Sequence, residues 1–220
     1  MAKVIVFGNG AIAQLVYYEF VYDSENEVCA FTVDRDFCTG DTLLGKPLIP
    51  FDEISSAYPA ADYDMFVATG YVKLNRLREE RCAEAKAFGY RLISHISSRA
   101  VIRGEIDISE NTFVSPNVVI SPSARIGTNV FLGGGSVVAH DCVVGDNCFF
   151  SNGVTLAGGA KIGPYCYLGP NATIRNHVTI GRESVIGAGA LILADTDEKS
   201  VYVGHAAERL PIASDTLNLA

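Results

Sequence analysis

From Ile102 onward every sixth residue is apolar: Ile102, Ile108, Val114, Ile120, Ile126, Leu132, Val138, Val144, Phe150, Leu156, Ile162, Leu168, Ile174, Ile180, Ile186 and Ile192. Of these sixteen positions, fifteen are aliphatic. A short period held for this long is the signature of a β-helix, in which each coil covers the apolar edge of the one before. Glycine follows the key residue at Gly127, Gly145, Gly163 and Gly181, spaced 18 apart, so three hexads make one coil. The position four after each key residue is small, as at Ala124, Ser136, Ala160 and Ala190, and fits a narrow interior. Cys142, Cys148 and Cys166 fall in the same series and read as core spacers rather than reactive thiols. Five coils from 102 to 191 give a column of roughly 24 Å at about 4.8 Å per coil.

The preceding residues follow another pattern. Lys3–Phe7 reads as a strand, Gly8–Ala13 as a glycine loop and Ala11–Phe20 as a helix. A second strand, Val28–Val33, ends at Asp34. Met65–Ala68 reads as a strand, Lys73–Phe88 as a helix with Leu74, Leu77, Ala85 and Phe88 near one face, and Arg91–Ile93 as a short strand. Strands alternating with helices imply a small α/β, half-Rossmann-like domain. The expected organisation is this domain at 1–95, a join at 94–101, the β-helix at 102–195 and a C-terminal tail at 196–220.

A net charge of −8 with no Lys/Arg run argues against a nucleic-acid or polybasic membrane surface. No apolar run reaches about 18 residues, and the N-terminus is too short and wrongly flanked for a signal peptide. These features give the expectation of a cytoplasmic protein with no membrane partner. Six cysteines without a Cys-x-x-Cys pair signal neither a disulfide framework nor a metal site.

Two stretches carry chemistry. The loop "GNGAIA" follows a strand and opens a helix, with Asp34 about 20 residues on, in the Gly-x-Gly-x-x-Ala form of a dinucleotide fingerprint. Gly8 and Gly10 let backbone approach a phosphate, and the helix start at Ala11 offers free N–H groups. A single half-site suits one nucleotide, such as the base and pyrophosphate of a sugar nucleotide; the plain alternative is a tight turn. In "VAHDCVVGDN", His140 falls at a coil corner beside Asp141, and Gly158 takes the same corner one coil on. A carboxylate can set the imidazole tautomer, and a glycine N–H can donate to an oxyanion. His95, His177 and His205 read as ordinary histidines.

The "HDC" at 140–142, the following "VVGDN", the tail "VYVGHAAERL" and the added N-terminal domain resemble the hexapeptide-repeat acyltransferases of the sialic acid O-acetyltransferase-like family. That family includes sugar-nucleotide N-acetyltransferases. The resemblance implies a left-handed parallel β-helix, a homotrimer and acetyl-CoA in the groove between columns. It also implies His140 as general base, Asp141 as its assistant and the Gly158 amide at the thioester oxygen. Gly158, Asn176 and Ala188 would touch the CoA, while Gly8, Gly10, Ala11 and Asp34 would hold the nucleotide of the acceptor. The chain departs from many members at Ile12 and Phe149, where they carry histidines, and at Ala206, where they carry proline. The first departure bears on the acceptor and the second on CoA contacts. The expected activity is acyl-CoA-dependent N-acylation of a nucleotide-linked amino sugar. O-acetylation of a sugar hydroxyl is the alternative, and a nucleotide-dependent oxidoreductase or a non-catalytic scaffold is a weaker one.

Overall fold

The computed structural model describes residues 1–209 and 211; residues 210 and 212–220 of the tail read as 196–220 lie outside the described residues. The N-terminal domain begins with β1 (Lys3–Phe7), α1 (Ala11–Asp23), β2 (Glu27–Val33) and a 3-10 turn at Arg35–Phe37. Then come β3 (Thr42–Leu43), β4 (Lys46–Pro50), α2 (Ile54–Ala57), β5 (Asp64–Val67) and α3 (Arg76–Ala87). The sheet order is β3-β4-β2-β1-β5, parallel except for the β3/β4 hairpin. That hairpin, absent from the sequence reading, closes through Leu44 and Gly45, both at positive φ.

Two further expectations change. The helix expected from Lys73 starts at Arg76, because Lys73, Leu74 and Asn75 all take left-handed backbone. Leu74 thus leaves the helix, Phe88 is exposed, and the buried face is Arg78, Cys82 and Ala85. Arg91–Ile93 does not form a strand; Leu92 makes a single bridge to Met65.

The rest is a left-handed parallel β-helix of two-residue strands stacked in three walls. The first wall runs from His95–Ile96 to Val201–Tyr202, the second from Val101–Ile102 to Leu191–Ile192, and the third from Arg125–Ile126 to Thr179–Ile180. Its register is the expected one, with Val119 opposite Val137 and Val137 opposite Thr155. The stretch 94–101 therefore already carries two strands of the coil. Inside, Ile120, Val138, Leu156, Ile174 and their equivalents are buried. So are Cys142, Cys148 and Cys166, each donating its thiol to a carbonyl of the next coil at 3.2 Å. Burial raises the Cys142 and Cys148 thiols, in keeping with inert spacers.

The α/β domain sits on the first wall. Phe113, Phe131, Phe149 and Tyr167 stack along that wall with ring centroids 4.9, 4.5 and 6.0 Å apart, and Phe113, Phe131 and Phe149 share a core with Val6, Phe20, Phe31 and Phe66. Along the neighbouring edge, Asn111 donates to Asn129 and Asn129 to Asn147, each residue at the left-handed corner that asparagine tolerates. Arg78 is buried against this ladder. It donates to the Asn129 side chain at 2.8 Å, to the Asn129 carbonyl at 2.9 Å and to the Cys148 carbonyl at 3.2 Å. Burial pulls its guanidinium down to about 10, which still leaves it charged at neutral pH. Arg78→Met keeps the stem but leaves the Asn129 oxygens short of donors, so urea unfolding should show a loss of about 2–3 kcal/mol. An unchanged midpoint would mean that the apolar wall alone holds the domains together. Among the described residues no helix is long and apolar enough to cross a membrane.

Candidate active site

His140 follows the second-wall strand Val137–Val138 and precedes the third-wall strand Val143–Val144, so it stands on the edge shared by those walls. Gly158 and Asn176 occupy the same edge on the next two coils. Asp141 takes the left-handed corner conformation, φ 60°. This sharp turn brings its carboxylate back onto the preceding ring: His140 Nδ1 and Asp141 Oδ2 are 2.8 Å apart. A carboxylate can only accept there, so Nδ1 carries a proton, and in the neutral imidazole Nε2 then holds the lone pair.

That lone pair lies over Gly158. A methyl group on the Gly158 α-carbon would stand 2.5 Å from His140 Nε2, so the imidazole occupies the space a side chain would need. The Gly158 N–H has no acceptor among the described residues. An acceptor-ready imidazole, a carboxylate fixing its tautomer and a free amide thus converge on one exposed turn, the set that amide or ester bond formation from a thioester needs. His177, one coil further, places its ring against Gly159, so two imidazoles flank the Gly158–Gly159 turn; the sequence reading gave His177 no part here. Gly158→Ala should push the His140 ring away while the coil stays folded, because the ring is exposed. Ring 1H–15N resonances that keep their Asp141-bonded signature would contradict this geometry.

Ala188 lies elsewhere, on the edge between the first and second walls, so the second wall separates it from Gly158 and Asn176. The outward residues of that wall are partly apolar, with Val101 43% and Leu191 60% exposed.

A second site opens above β1. A cavity of about 390 Å³ is lined by Gly8, Gly10, Ala11 and Asp34, the four residues singled out in the sequence, together with Phe37, Thr69 and others. Gly8 cannot carry a side chain: its φ is 130°, and a methyl would stand 2.9 Å from the Ala68 carbonyl. Gly10 has open space around it and caps α1 without any side-chain bond. The first turn of α1 therefore offers unpaired amides to the cavity, a setting that favours a phosphate. Asp34 is not free, since Arg81 donates to its Oδ2 at 2.9 Å. Nothing in the spacing of Arg81 on its helix signals that pairing.

Ile12 and Phe149, two of the three departures from the family pattern, meet in one adjoining cavity. Phe149 belongs to the wall under the α/β domain, away from the His140 edge.

The model for the bacterial transferase hexapeptide (six repeats) matches residues 123–158 and 159–194. Among solved structures, a histidine-to-asparagine variant of perosamine N-acetyltransferase from Caulobacter crescentus, in complex with CoA and GDP-perosamine, is 28% identical with a TM-score of 0.85. The match covers 93% of this chain and 94% of that one. WeeI from Acinetobacter baumannii AYE is 25% identical, with a TM-score of 0.79 over 93% of this chain and 97% of its own. The acetyltransferase domain of PglB from Neisseria gonorrhoeae FA1090, also solved with acetyl coenzyme A, shares the fold at 24% identity. Its TM-score is 0.81, over 96% of this chain and 100% of that domain. No curated protein matches by sequence.

Proposed function

We propose, on the premise that this chain is a hexapeptide-repeat acetyltransferase, that it transfers the acetyl group of acetyl-CoA to the amine of a nucleotide-linked amino sugar. The observation that carries this reading is the His140–Asp141 pair poised over the free Gly158 amide. It stands in a chain that matches, over nearly its whole length, a relative holding CoA and GDP-perosamine.

The reaction needs no covalent enzyme intermediate. As the amine adds to the thioester carbonyl, its proton passes to His140 Nε2, and Asp141 stabilises the imidazolium through Nδ1–H. The Gly158 N–H donates to the oxyanion of the tetrahedral intermediate. Collapse expels the CoA thiolate, and the imidazolium returns the proton to sulfur.

A single chain does not assemble this site. The nucleotide cavity belongs to the domain on the first wall, whereas His140 stands on the edge opposite that wall. The reading therefore places the two halves on neighbouring copies of a homotrimer, with the partly apolar second wall at the contact and the CoA between columns. Such closed symmetric assemblies are the common outcome for soluble oligomers.

The nucleotide half is tested at Gly10. Open space there lets a valine fold normally, yet its side chain would crowd the amides of α1. Gly10→Val should raise the acceptor KM by about tenfold or more and leave the acetyl-CoA KM within about twofold, given the tight approach a phosphate needs. Equal affinity of the wild type for free amino sugars and nucleotide amino sugars in calorimetry would show that the loop is only a turn.

A further inference from the structure

Toward the end of α1, Glu19 and Asp23 lie one turn apart and share a helix face, and the first strand of the coil brings His95 against it. One atom from each residue, two carboxylate oxygens and a ring nitrogen, lies within 4.8 Å of the other two. The cluster stands at the join of the two domains, and no step of the acyl transfer uses it.

His95 is the informative member. Its ring is 3% exposed and held between Phe20 and Phe113, with its centroid 5.2 Å from each. Its Nε2 is buried without a hydrogen-bond partner among the described residues, and so is Glu19 Oε2, 3.6 Å away. Two buried polar atoms that face each other beyond hydrogen-bond distance cost stability unless something bridges them. The gap is close to that of a coordinated cation. With metal–ligand bonds of about 2.0–2.1 Å, two ligands of a tetrahedral ion stand about 3.3–3.4 Å apart.

The surroundings hold the two carboxylates from outside. Ser97 Oγ and the Ser98 N–H both donate to Asp23 Oδ2, while Glu19 Oε1 is 3.7 Å from Arg99. Each acid thus keeps its other oxygen without a hydrogen-bond partner among the described residues, in the manner of ligands anchored by outer neighbours. Burial lowers the His95 imidazole, which favours the neutral ring that a metal requires.

We propose that Glu19, Asp23 and His95 form a structural site for one divalent transition-metal ion, which ties the end of α1 to the first coil. The imidazole selects a transition metal over magnesium or calcium, and zinc takes this mix of nitrogen and oxygen donors in four-coordinate geometry. Two carboxylates cancel the double charge of the ion. His95 Nε2 and Glu19 Oε2 are the inner ligands, and the half-buried Asp23 closes the site on its solvent side, where a water completes the four. The assignment is independent of the acyl-transfer reading.

Calorimetry and thermal unfolding of the chelator-treated full chain with zinc chloride test this, beside Glu19→Gln and His95→Gln. The wild type is expected to take up one zinc through this site, with affinity falling about 100-fold or more in either variant, since loss of even an outer neighbour costs about 10- to 100-fold. Zinc at about 100 times the wild-type Kd should raise the wild-type Tm by about 5–10 °C and that of each variant by no more than about 2 °C. Without zinc, Glu19→Gln should unfold at the wild-type temperature or above it, because the isosteric amide sheds a buried charge; it carries the comparison alone if His95→Gln fails to fold. Crystals grown with zinc should show anomalous density about 2.0–2.2 Å from His95 Nε2 and Glu19 Oε2. A wild-type Tm that does not respond to zinc would overturn the assignment. So would zinc bound equally by the wild type and a folded variant, which would place the ion at other residues.

Discussion

His140→Ala should lower kcat by about 10² to 10⁴ and leave the fold intact, the range expected for loss of a general base. Its side chain is 67% exposed and fills no part of the prism, so the coil does not depend on it. Unfolding curves should therefore superimpose on those of the wild type. Asp141→Asn should cost less, because an amide can still accept a hydrogen bond from Nδ1–H but no longer stabilises the imidazolium by charge. It must also preserve the left-handed corner, which asparagine tolerates. A His140→Ala protein that folds normally and turns over near the wild-type rate would remove imidazole from the mechanism. The CoA would then have to be served by the Gly158 amide alone.

The second large effect is a gain. Chains carrying His140→Ala and chains carrying Gly10→Trp should each form poorly active trimers when assayed well below the wild-type acceptor KM. Co-expressed at equal amounts, they should recover about a quarter of wild-type activity, because in a symmetric trimer that fraction of interfaces joins an intact loop to an intact histidine. Activity that stays at the level of the parents would mean that both halves of the site come from one chain. The opposite placement of the first wall and the His140 edge would then need a different explanation. Light scattering on the wild type provides the control, and a fully active monomer would contradict the shared site outright.

Much of the architecture is written in local pattern. The hexads fix the 18-residue coil because inward and outward positions alternate within each short strand, and that alone puts His140, Gly158 and Asn176 on one edge. The glycine loop likewise places Gly8, Gly10, Ala11 and Asp34 around one cavity, since a parallel strand-loop-helix unit brings the ends of β1 and β2 together.

What the pattern does not carry is non-local. The buried face of α3 centres on Arg78, a residue whose type predicts exposure; it is tolerated because Asn129 and the Cys148 carbonyl of a distant coil edge accept from its Nε and one terminal nitrogen, and Asn75 and the Thr69 carbonyl accept from the other. The left-handed run Lys73–Asn75 that shifts the helix start has no glycine to announce it. The aromatic stack at Phe113, Phe131, Phe149 and Tyr167, which the sequence reading passed over, marks the wall that the α/β domain covers. The Asp141 carboxylate reaches its neighbouring imidazole through a corner conformation, which spacing does not reveal.

The central claim is that an amide bond forms on the sugar of a nucleotide. Its most direct test is to incubate the wild-type protein with 13C-acetyl-CoA and a panel of nucleotide amino sugars, then examine the product by two-dimensional NMR. The labelled carbonyl should couple to an N–H on the sugar ring, with one equivalent of free CoA released and no signal from the His140→Ala protein. A carbonyl coupled to a carbinol proton would show an ester, making the enzyme an O-acetyltransferase, and CoA release without labelled sugar would contradict the account altogether.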